Sequence, residues 1–122
     1  MSSLRPTPLG WRLPWAAALA FAPSACGGGL AQAVAQFDAG QYPAAEHALA
    51  SLEPETRGWS VERRAKYALY RALTLQALGD SLRAASWLRS AEDIERGRPG
   101  SLSTVDVRRL NVVAPLLSDD SP

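Results

Sequence analysis

The sequence predicts an all-α fold made of short helical hairpins, and three observations favour it. Apolar residues recur at steps of three and four beyond residue 29, which is the spacing of one helix face. Glycine and proline break these stretches into segments of helical length. Alanine is abundant and β-branched residues are scarce. This balance favours helix, because alanine loses little side-chain entropy there.

Charge divides the chain into two parts. The 122 residues carry 13 basic and 12 acidic side chains, with a formal net charge of +1. No basic run is present, so the chain lacks the electrostatic pattern of a nucleic-acid-binding protein. Before Asp38 the only charged side chains are Arg5 and Arg12. The N-terminal segment is therefore predicted to differ in kind from the rest.

That N-terminal segment has the pattern of an export signal. A positively charged stretch, residues 1–12, precedes the apolar residues 13–22 (LPWAAALAFA). The apolar stretch is too short to cross a bilayer, which needs about 20 residues. A charged region followed by a short apolar region is typical of a secretory signal peptide. We predict a signal peptide over residues 1–25.

The end of this segment carries the only cysteine. Ser24-Ala25-Cys26 resembles the lipobox of bacterial lipoproteins, although Pro23 departs from the family pattern. The resemblance implies that Cys26 receives a diacylglycerol and that residues 26–29 form a flexible tether. It also implies a membrane-anchored protein of the bacterial cell envelope. The alternatives are export to the periplasm without a lipid, and no export.

The first two helices are predicted over Leu30–Asp38 and Tyr42–Leu52. Ala39-Gly40 separates them, and Pro43 is compatible with a first helical turn. Glu53-Pro54 ends the second helix, and residues 53–59 are predicted to form a loop.

Three further helices are predicted beyond this loop. The third covers Val61–Leu78, with Ser60 as its N-cap and Gly79 as its end. The fourth begins near residue 80 or 81 and ends near Arg96, before a glycine- and proline-rich break. The fifth begins at residue 103 or 104 and ends near Ala114. Residues 118–122 are predicted to be a disordered tail.

Two segments of the chain align on Gly40 and Gly79. Small or apolar residues recur at matched offsets of seven before, five after and nine after the glycine: Ala33 and Ala72, Ala45 and Ala84, Leu49 and Leu88. This pattern resembles the tetratricopeptide repeat family, although the glycines are 39 residues apart and the family period is about 34. The resemblance covers about residues 30–96 and implies two helix pairs. We predict a domain over residues 30–117, in which the fifth helix caps the exposed face of the fourth. A generic helical bundle is the alternative.

The resemblance also implies a groove that binds a protein or peptide. Tyr67, Tyr70 and Arg71 are predicted to face it, and the alternative is that both tyrosines pack against the second helix. A basic cluster that includes Arg63 and Lys66 is predicted to add to the partner surface by charge, or else to form a solvated face. The open ends of so short a repeat also suggest self-association as an alternative.

The sequence contains no pattern that predicts catalysis. His47 is the only histidine and Cys26 the only cysteine, so no Cys/His cluster for a metal or a nucleophilic pair is predicted. Neither an enzyme activity nor a cofactor is expected. We therefore expect a non-catalytic protein-interaction or scaffold module of the bacterial cell envelope. The alternative is a soluble periplasmic or cytoplasmic accessory protein or chaperone.

Overall fold

The computed structural model of the chain describes residues 28–118, and these form five α-helices and one 3-10 helix without any strand. The predicted all-α fold of helical hairpins is confirmed. The elements are α1 (Gly29–Asp38), α2 (Tyr42–Leu52), the 3-10 helix Glu53–Gly58, α3 (Val61–Ala77), α4 (Ser81–Gly97) and α5 (Thr104–Ser118). Helices α1 and α2 form one hairpin, α3 and α4 form a second, and α5 packs on α3 and α4.

The two hairpin turns have the same geometry. Gly40 and Gly79 have φ angles of +80° and +89°, which side-chain-bearing residues rarely adopt. After each glycine a backbone N–H donates to a carbonyl in the last helical turn, Gln41 to Gln36 and Asp80 to Leu75, both at 2.9 Å. These bonds satisfy carbonyl groups that the end of a helix would otherwise leave without partners.

Side-chain caps fix the starts of the later helices. The Ser60 hydroxyl accepts a hydrogen bond from the Arg63 backbone N–H at 3.2 Å, so the predicted N-cap is confirmed. Glu95 holds the connection to α5, because its carboxylate accepts from the N–H groups of Gly100 and Leu102, each at 2.9 Å. These backbone hydrogen bonds lower the pKa of the Glu95 carboxyl.

Small residues allow the helices to approach closely. The alanines that the repeat pattern singled out are all fully buried: Ala33, Ala45, Ala72 and Ala84. The leucines at the matched positions, Leu49 and Leu88, are also buried. Helix α3 lies at the centre of the fold and buries residues on most of its faces, since it contacts every other α-helix. Most of the core is therefore built around one helix.

Several predicted boundaries differ from the structure. Gly29 belongs to α1 and not to the tether, and α3 ends one residue before Leu78. The predicted loop over residues 53–59 is largely the 3-10 helix. Helix α5 continues through Pro115 to Ser118, beyond the predicted end near Ala114, so Ser118 belongs to this helix and not to the predicted tail over residues 118–122.

The passage of α5 through Pro115 has a physical reason. Proline at this position removes the backbone N–H that would donate to the Asn111 carbonyl, and its ring crowds that carbonyl, so the helix needs other contacts in order to continue. Burial of Leu117 and a hydrogen bond from the Ser118 hydroxyl to the Ala114 carbonyl at 2.9 Å hold the turn. The predicted signal peptide, Cys26 and the tail residues 119–122 lie outside the described residues.

Candidate partner-binding site

The structure places three of the predicted site residues inside the fold. Tyr67, Tyr70 and Arg71 are 1%, 3% and 2% exposed. All three hydrogen-bond to other side chains or backbone groups of the same chain. In this arrangement a partner docked on the outer surface does not reach them. The structure shows these residues packed inside the fold. Their contact with a partner stays a prediction.

Arg71 is the centre of a buried polar cluster between α2 and α3. Its Nε and Nη2 atoms donate to the two carboxylate oxygens of Glu46 at 2.9 and 2.8 Å. Its Nη1 atom donates to Glu53 at 3.1 Å and to the Tyr67 hydroxyl at 2.9 Å. Burial alone lowers the pKa of Arg71, but its hydrogen bonds with Glu46 and its attraction to the neighbouring acidic groups raise the net value above the ordinary one. Arg71 is therefore permanently charged.

Tyr67 joins this cluster to helix α2. Its hydroxyl donates to the Leu49 carbonyl at 2.6 Å, so this tyrosine packs against the second helix. Trp59 and Trp87 meet its ring edge-on, with centroids 5.8 and 5.5 Å away. Burial raises the pKa of Tyr67, and the charge of Arg71 partly opposes that rise. The two tryptophans thus pack against the core.

A second polar cluster holds α5 against α3 and α1. The Tyr70 hydroxyl donates to the buried Asp106 carboxylate at 2.8 Å and accepts from Arg109 at 3.0 Å. Arg109 also pairs with Asp38 of α1 at 2.9 Å. Burial and the bond to Asp106 raise the pKa of Tyr70 well above its ordinary value, so its hydroxyl stays protonated. This cluster fixes the position of α5 relative to the first four helices.

The other two predicted residues lie near the surface. Arg63 and Lys66 are partly exposed and border a hollow of about 260 Å³ between the start of α3 and the connection to α5. The Arg63 guanidinium lies 4.1 Å above the centre of the Trp59 ring. Glu62 and Asp106 border the same hollow, so its charge is mixed. It offers no clear preference for a partner of either sign.

A different surface has the features of a docking site, and we call it the α1–α3–α5 groove. It encloses about 380 Å³, and its walls are almost wholly apolar. Helices α1, α3 and α5 contribute its lining: Phe37, Leu73, Arg108, Arg109, Val112, Val113 and Leu116. Val112 and Leu116 are 70% and 60% exposed, which is unusual for neighbouring large apolar side chains on one helix.

Helix α5 explains why the groove is open. One stripe of this helix, Leu110, Val113 and Leu117, is buried in the core. A second apolar stripe, Val105, Val112 and Leu116, faces outward. A periodic pattern alone does not separate an inward stripe from an outward one when both are apolar. The sequence gives a signal for the groove, the excess of apolar residues on α5, but only its packing shows which of them remain exposed.

The rim of the groove is basic. Arg109 is held by Asp38 and Tyr70. Arg108 is exposed and makes no ion pair within residues 28–118. A cationic group that lies beside an apolar surface favours a partner that offers an acidic group next to apolar side chains.

Among residues 28–118 no group of three or more His, Cys, Asp or Glu side chains is placed to hold a metal ion. His47 is exposed on α2. No helix in the described range has the length and hydropathy needed to span a membrane.

Comparison of the chain with protein-family models, with curated proteins and with solved structures finds no match. The candidate site therefore stands on the geometry of the groove and on the residues that line it.

Proposed function

We propose that this protein is a non-catalytic protein-interaction module of the bacterial cell envelope and that the α1–α3–α5 groove is its docking surface. Its anchor would be a lipid on Cys26, as the resemblance to a lipoprotein lipobox implies. The observation that carries the proposal is the groove itself, in which exposed Val112 and Leu116 lie opposite Phe37 and Leu73.

The shape of the groove supports a helical or extended segment as the ligand. Grooves between packed helices accept the apolar face of another helix, whose side chains enter at spacings of three and four residues. Arg108 at the rim would pair with an acidic residue beside that apolar face. Such a contact adds little affinity at a solvated edge but selects orientation. The mechanism is recognition by shape and charge, without any covalent step.

The rigidity of the site supports the same function. The Tyr70–Asp106–Arg109 cluster fixes α5, and the buried alanines fix α1 against α2 and α3 against α4. A binding surface that is already ordered loses less conformational entropy when it binds than one that must fold on contact. The groove is thus suited to a scaffold role in which the protein holds partners and does not reshape them.

The test places a photoreactive residue in the groove of the full-length protein inside bacterial cells. A photoreactive phenylalanine analogue at Val112 is expected to yield crosslinks to a protein of the envelope fraction. The same analogue at Leu82, which is 82% exposed on α4 and does not line the groove, is the matched control. Equal crosslinking at both positions, or none at Val112, would refute the groove as the docking surface.

The anchor is tested separately by mass spectrometry of the N-terminus of the protein extracted from membranes. An acylated Cys26 as the first residue supports the lipid-anchored form. A retained Met1 would favour the cytoplasmic accessory protein instead, and cleavage without acylation would favour a soluble periplasmic protein.

A further inference from the structure

We infer that helix α5 is a hinged wall of the α1–α3–α5 groove. It opens as a unit while α1–α4 stay folded, and the groove exists only while α5 is closed. The inference rests on the proposed function, because it names the regulation of the same groove. Four features of the described residues carry it: the spacing of α5 from its neighbours, the hollows beside it, a set of polar side chains that closes it, and the connection that precedes it.

Helix α5 is attached less closely than the other helices. Within the α3–α4 hairpin, buried alanines such as Ala72 and Ala84 let the two backbones approach along their length. The buried apolar stripe of α5 consists instead of Leu110, Val113 and Leu117. Because these larger side chains separate the backbones, α5 approaches α3 and α4 closely at fewer points. Its removal therefore disturbs less of the core than separation of either hairpin.

Hollows also lie on several sides of α5. The α1–α3–α5 groove, of about 380 Å³, borders one side of the helix. A second hollow, of about 130 Å³, lies between α4 and α5 beside Leu88 and Leu117. The third, of about 260 Å³, lies at the start of α5 beside Asp106. Atoms that border such spaces lack packing partners on one side, so they gain less dispersion energy than atoms in a filled core.

Polar side chains close α5 onto α1 and α3. We call Asp38, Tyr70, Asp106 and Arg109 the latch. The Arg109 guanidinium donates to Asp38 of α1 at 2.9 Å and to the Tyr70 hydroxyl of α3 at 3.0 Å, and that hydroxyl donates to Asp106 at 2.8 Å. No other hydrogen bond or ion pair joins α1 to α5 within residues 28–118. The latch therefore decides whether α5 meets α1 across the groove.

The latch also carries a cost that favours opening. Asp106 is 4% exposed, and its carboxylate accepts a hydrogen bond from a neutral hydroxyl, that of Tyr70. Taking a carboxylate out of water costs free energy that a single neutral hydrogen bond does not fully return. Opening of α5 hydrates Asp106 again. The gain from closing α5 is thus offset in part, which brings the open and closed states closer in free energy.

The connection before α5 provides the hinge. The carboxylate of Glu95 accepts hydrogen bonds from the backbone N–H groups of Gly100 and Leu102, which holds the connection to the end of α4 as far as Leu102. The freely turning position is therefore Ser103, directly before α5. The Arg71 cluster joins α2 to α3 without any residue of α5, so opening leaves these bonds intact.

Opening of α5 removes one wall of the docking surface. Arg108, Val112 and Leu116 line the groove from α5, whereas Phe37 and Leu73 line it from α1 and α3. A partner that needs both walls binds only the closed form. Its apparent affinity then falls with the closed fraction, and its binding in turn draws α5 closed.

The first experiment measures amide hydrogen exchange by mass spectrometry on the full chain carrying Cys26→Ser, so that no lipid is attached. We expect the amides of α5 to exchange faster than those of α3 and with a weaker dependence on urea, because opening one helix exposes little surface. Exchange of α5 and α3 with the same rate and the same urea dependence would show that α5 opens only when the whole domain unfolds. That result overturns the inference.

The variant Asp38→Asn tests the latch from α1, because Asp38 neither belongs to α5 nor lines the groove. It is expected to speed exchange in α5 by about two- to fivefold, as for a half-exposed ion pair, and to leave α3 unchanged. Asp93→Asn is the matched control, since it removes an ion pair of 2.8 Å that lies within α4. Equal effects of the two variants on α5 would contradict the role of the latch.

The second experiment joins opening to docking. Asp38→Asn combined with Tyr70→Phe is expected to speed exchange in α5 at least tenfold while α3 stays protected. In cells, the photoreactive analogue at Val112 is then expected to give fewer crosslinks per molecule than it gives without these two changes. Undiminished crosslinking by a double variant in which α5 is largely open overturns the inference, and so does a double variant in which exchange of α5 is not faster.

The outcomes separate this inference from the proposed function. If α5 exchanges only with the whole domain but Val112 still crosslinks specifically, the hinged wall is wrong and the docking groove stands. If Val112 gives no specific crosslink in the unchanged protein, the docking groove is wrong. The regulation inferred for it then fails as well, even where α5 opens by itself.

Discussion

Replacing Arg71 with methionine measures how much the buried polar cluster contributes to the fold. Methionine keeps most of the length of the side chain but removes every hydrogen bond to Glu46, Glu53 and the Tyr67 hydroxyl. It leaves the Glu46 carboxylate, which is only 19% exposed, without its bidentate partner. Glu46 must then be hydrated in place or move outward, and either change costs free energy.

The expected loss of stability depends on how deeply Arg71 and its acidic partners are buried. Removing one partner of a fully buried ion pair costs about 3–5 kcal/mol. Arg71 is buried, but the Glu53 side chain is 53% exposed and can be rehydrated where it lies. We therefore expect the lower end, a fall of about 3 kcal/mol in the free energy of unfolding. For a domain of this size that lowers Tm by roughly 12–24 °C, at about 4–8 °C per kcal/mol.

Urea unfolding followed by circular dichroism at 222 nm is the assay, with the midpoint and slope fitted separately. Arg83→Met is the matched control, because Arg83 also approaches Glu46, at 3.7 Å, but is 56% exposed. An exposed pair of this kind contributes at most about 1 kcal/mol. If Arg71→Met and Arg83→Met shift the midpoint equally, the reasoning from burial is refuted. A changed slope would mean that the variant alters the compactness of the denatured or the native state, or that unfolding is no longer two-state.

A double variant separates the unpaired charge from the lost packing. Arg71→Met combined with Glu46→Met removes both charges, and apolar replacement of a whole buried pair is often neutral or stabilising. We expect the double variant to unfold at a higher urea concentration than Arg71→Met alone. If the losses of the two single variants simply add, Arg71 and Glu46 do not interact energetically.

Three further changes test other parts of the fold. Tyr70→Phe removes one hydrogen-bond partner of the buried Asp106 carboxylate and should lower the free energy of unfolding by about 1–3 kcal/mol. The rate of amide hydrogen exchange should rise in α5 before it rises in α3. A uniform rise in both helices would contradict the role of Tyr70 in holding α5. Gly79→Ala should cost about 1 kcal/mol because φ is +89° there, whereas Gly97→Ala, at the end of α4, should cost nothing; equal thermal shifts would refute the turn argument. Glu95→Gln should lower Tm at pH 7. Because the folded pKa of Glu95 is lowered, its contribution is present above the unfolded pKa of about 4.3 and is lost as pH falls through the folded value, so the difference in Tm should close in acid.

The helix bounds were largely predictable because they depend on local chemistry. Tyr42–Leu52 has the same bounds in the sequence prediction and in the structure, and Ser60 and Gly79 act as predicted at the ends of α3. Each of these is decided within a few residues by a cap, a proline in a first turn or a glycine with positive φ. The predicted end of α5 was wrong because burial of Leu117 in the core extends the helix, and the local signal of Pro115 does not reveal that tertiary contact.

The positions of the predicted site residues on α3 were less predictable, because the other helices pack around α3 on most of its faces. Tyr67, Tyr70 and Arg71 have the spacing of one broad helix face, and in a two-layer arrangement part of that face would reach solvent. In this fold α2 and α4 cover Tyr67 while α5 covers Tyr70, so aromatic and charged side chains of α3 become internal. Periodicity identifies a face but not the number of neighbours that cover it.

The cover over Tyr70 also determines where a partner can bind. Because Asp106 and Arg109 of α5 hydrogen-bond to Tyr70, these two side chains are held by the fold, and the exposed apolar side chains of α5 are the ones free to contribute to recognition. That side carries Val112 and Leu116. Since solvent-facing positions of a helix are usually polar, two large apolar residues retained there are a cost to solubility unless something covers them. Helix α5 is therefore the part of this fold on which the proposed docking depends, and a partner held there leaves the buried side of the helix undisturbed.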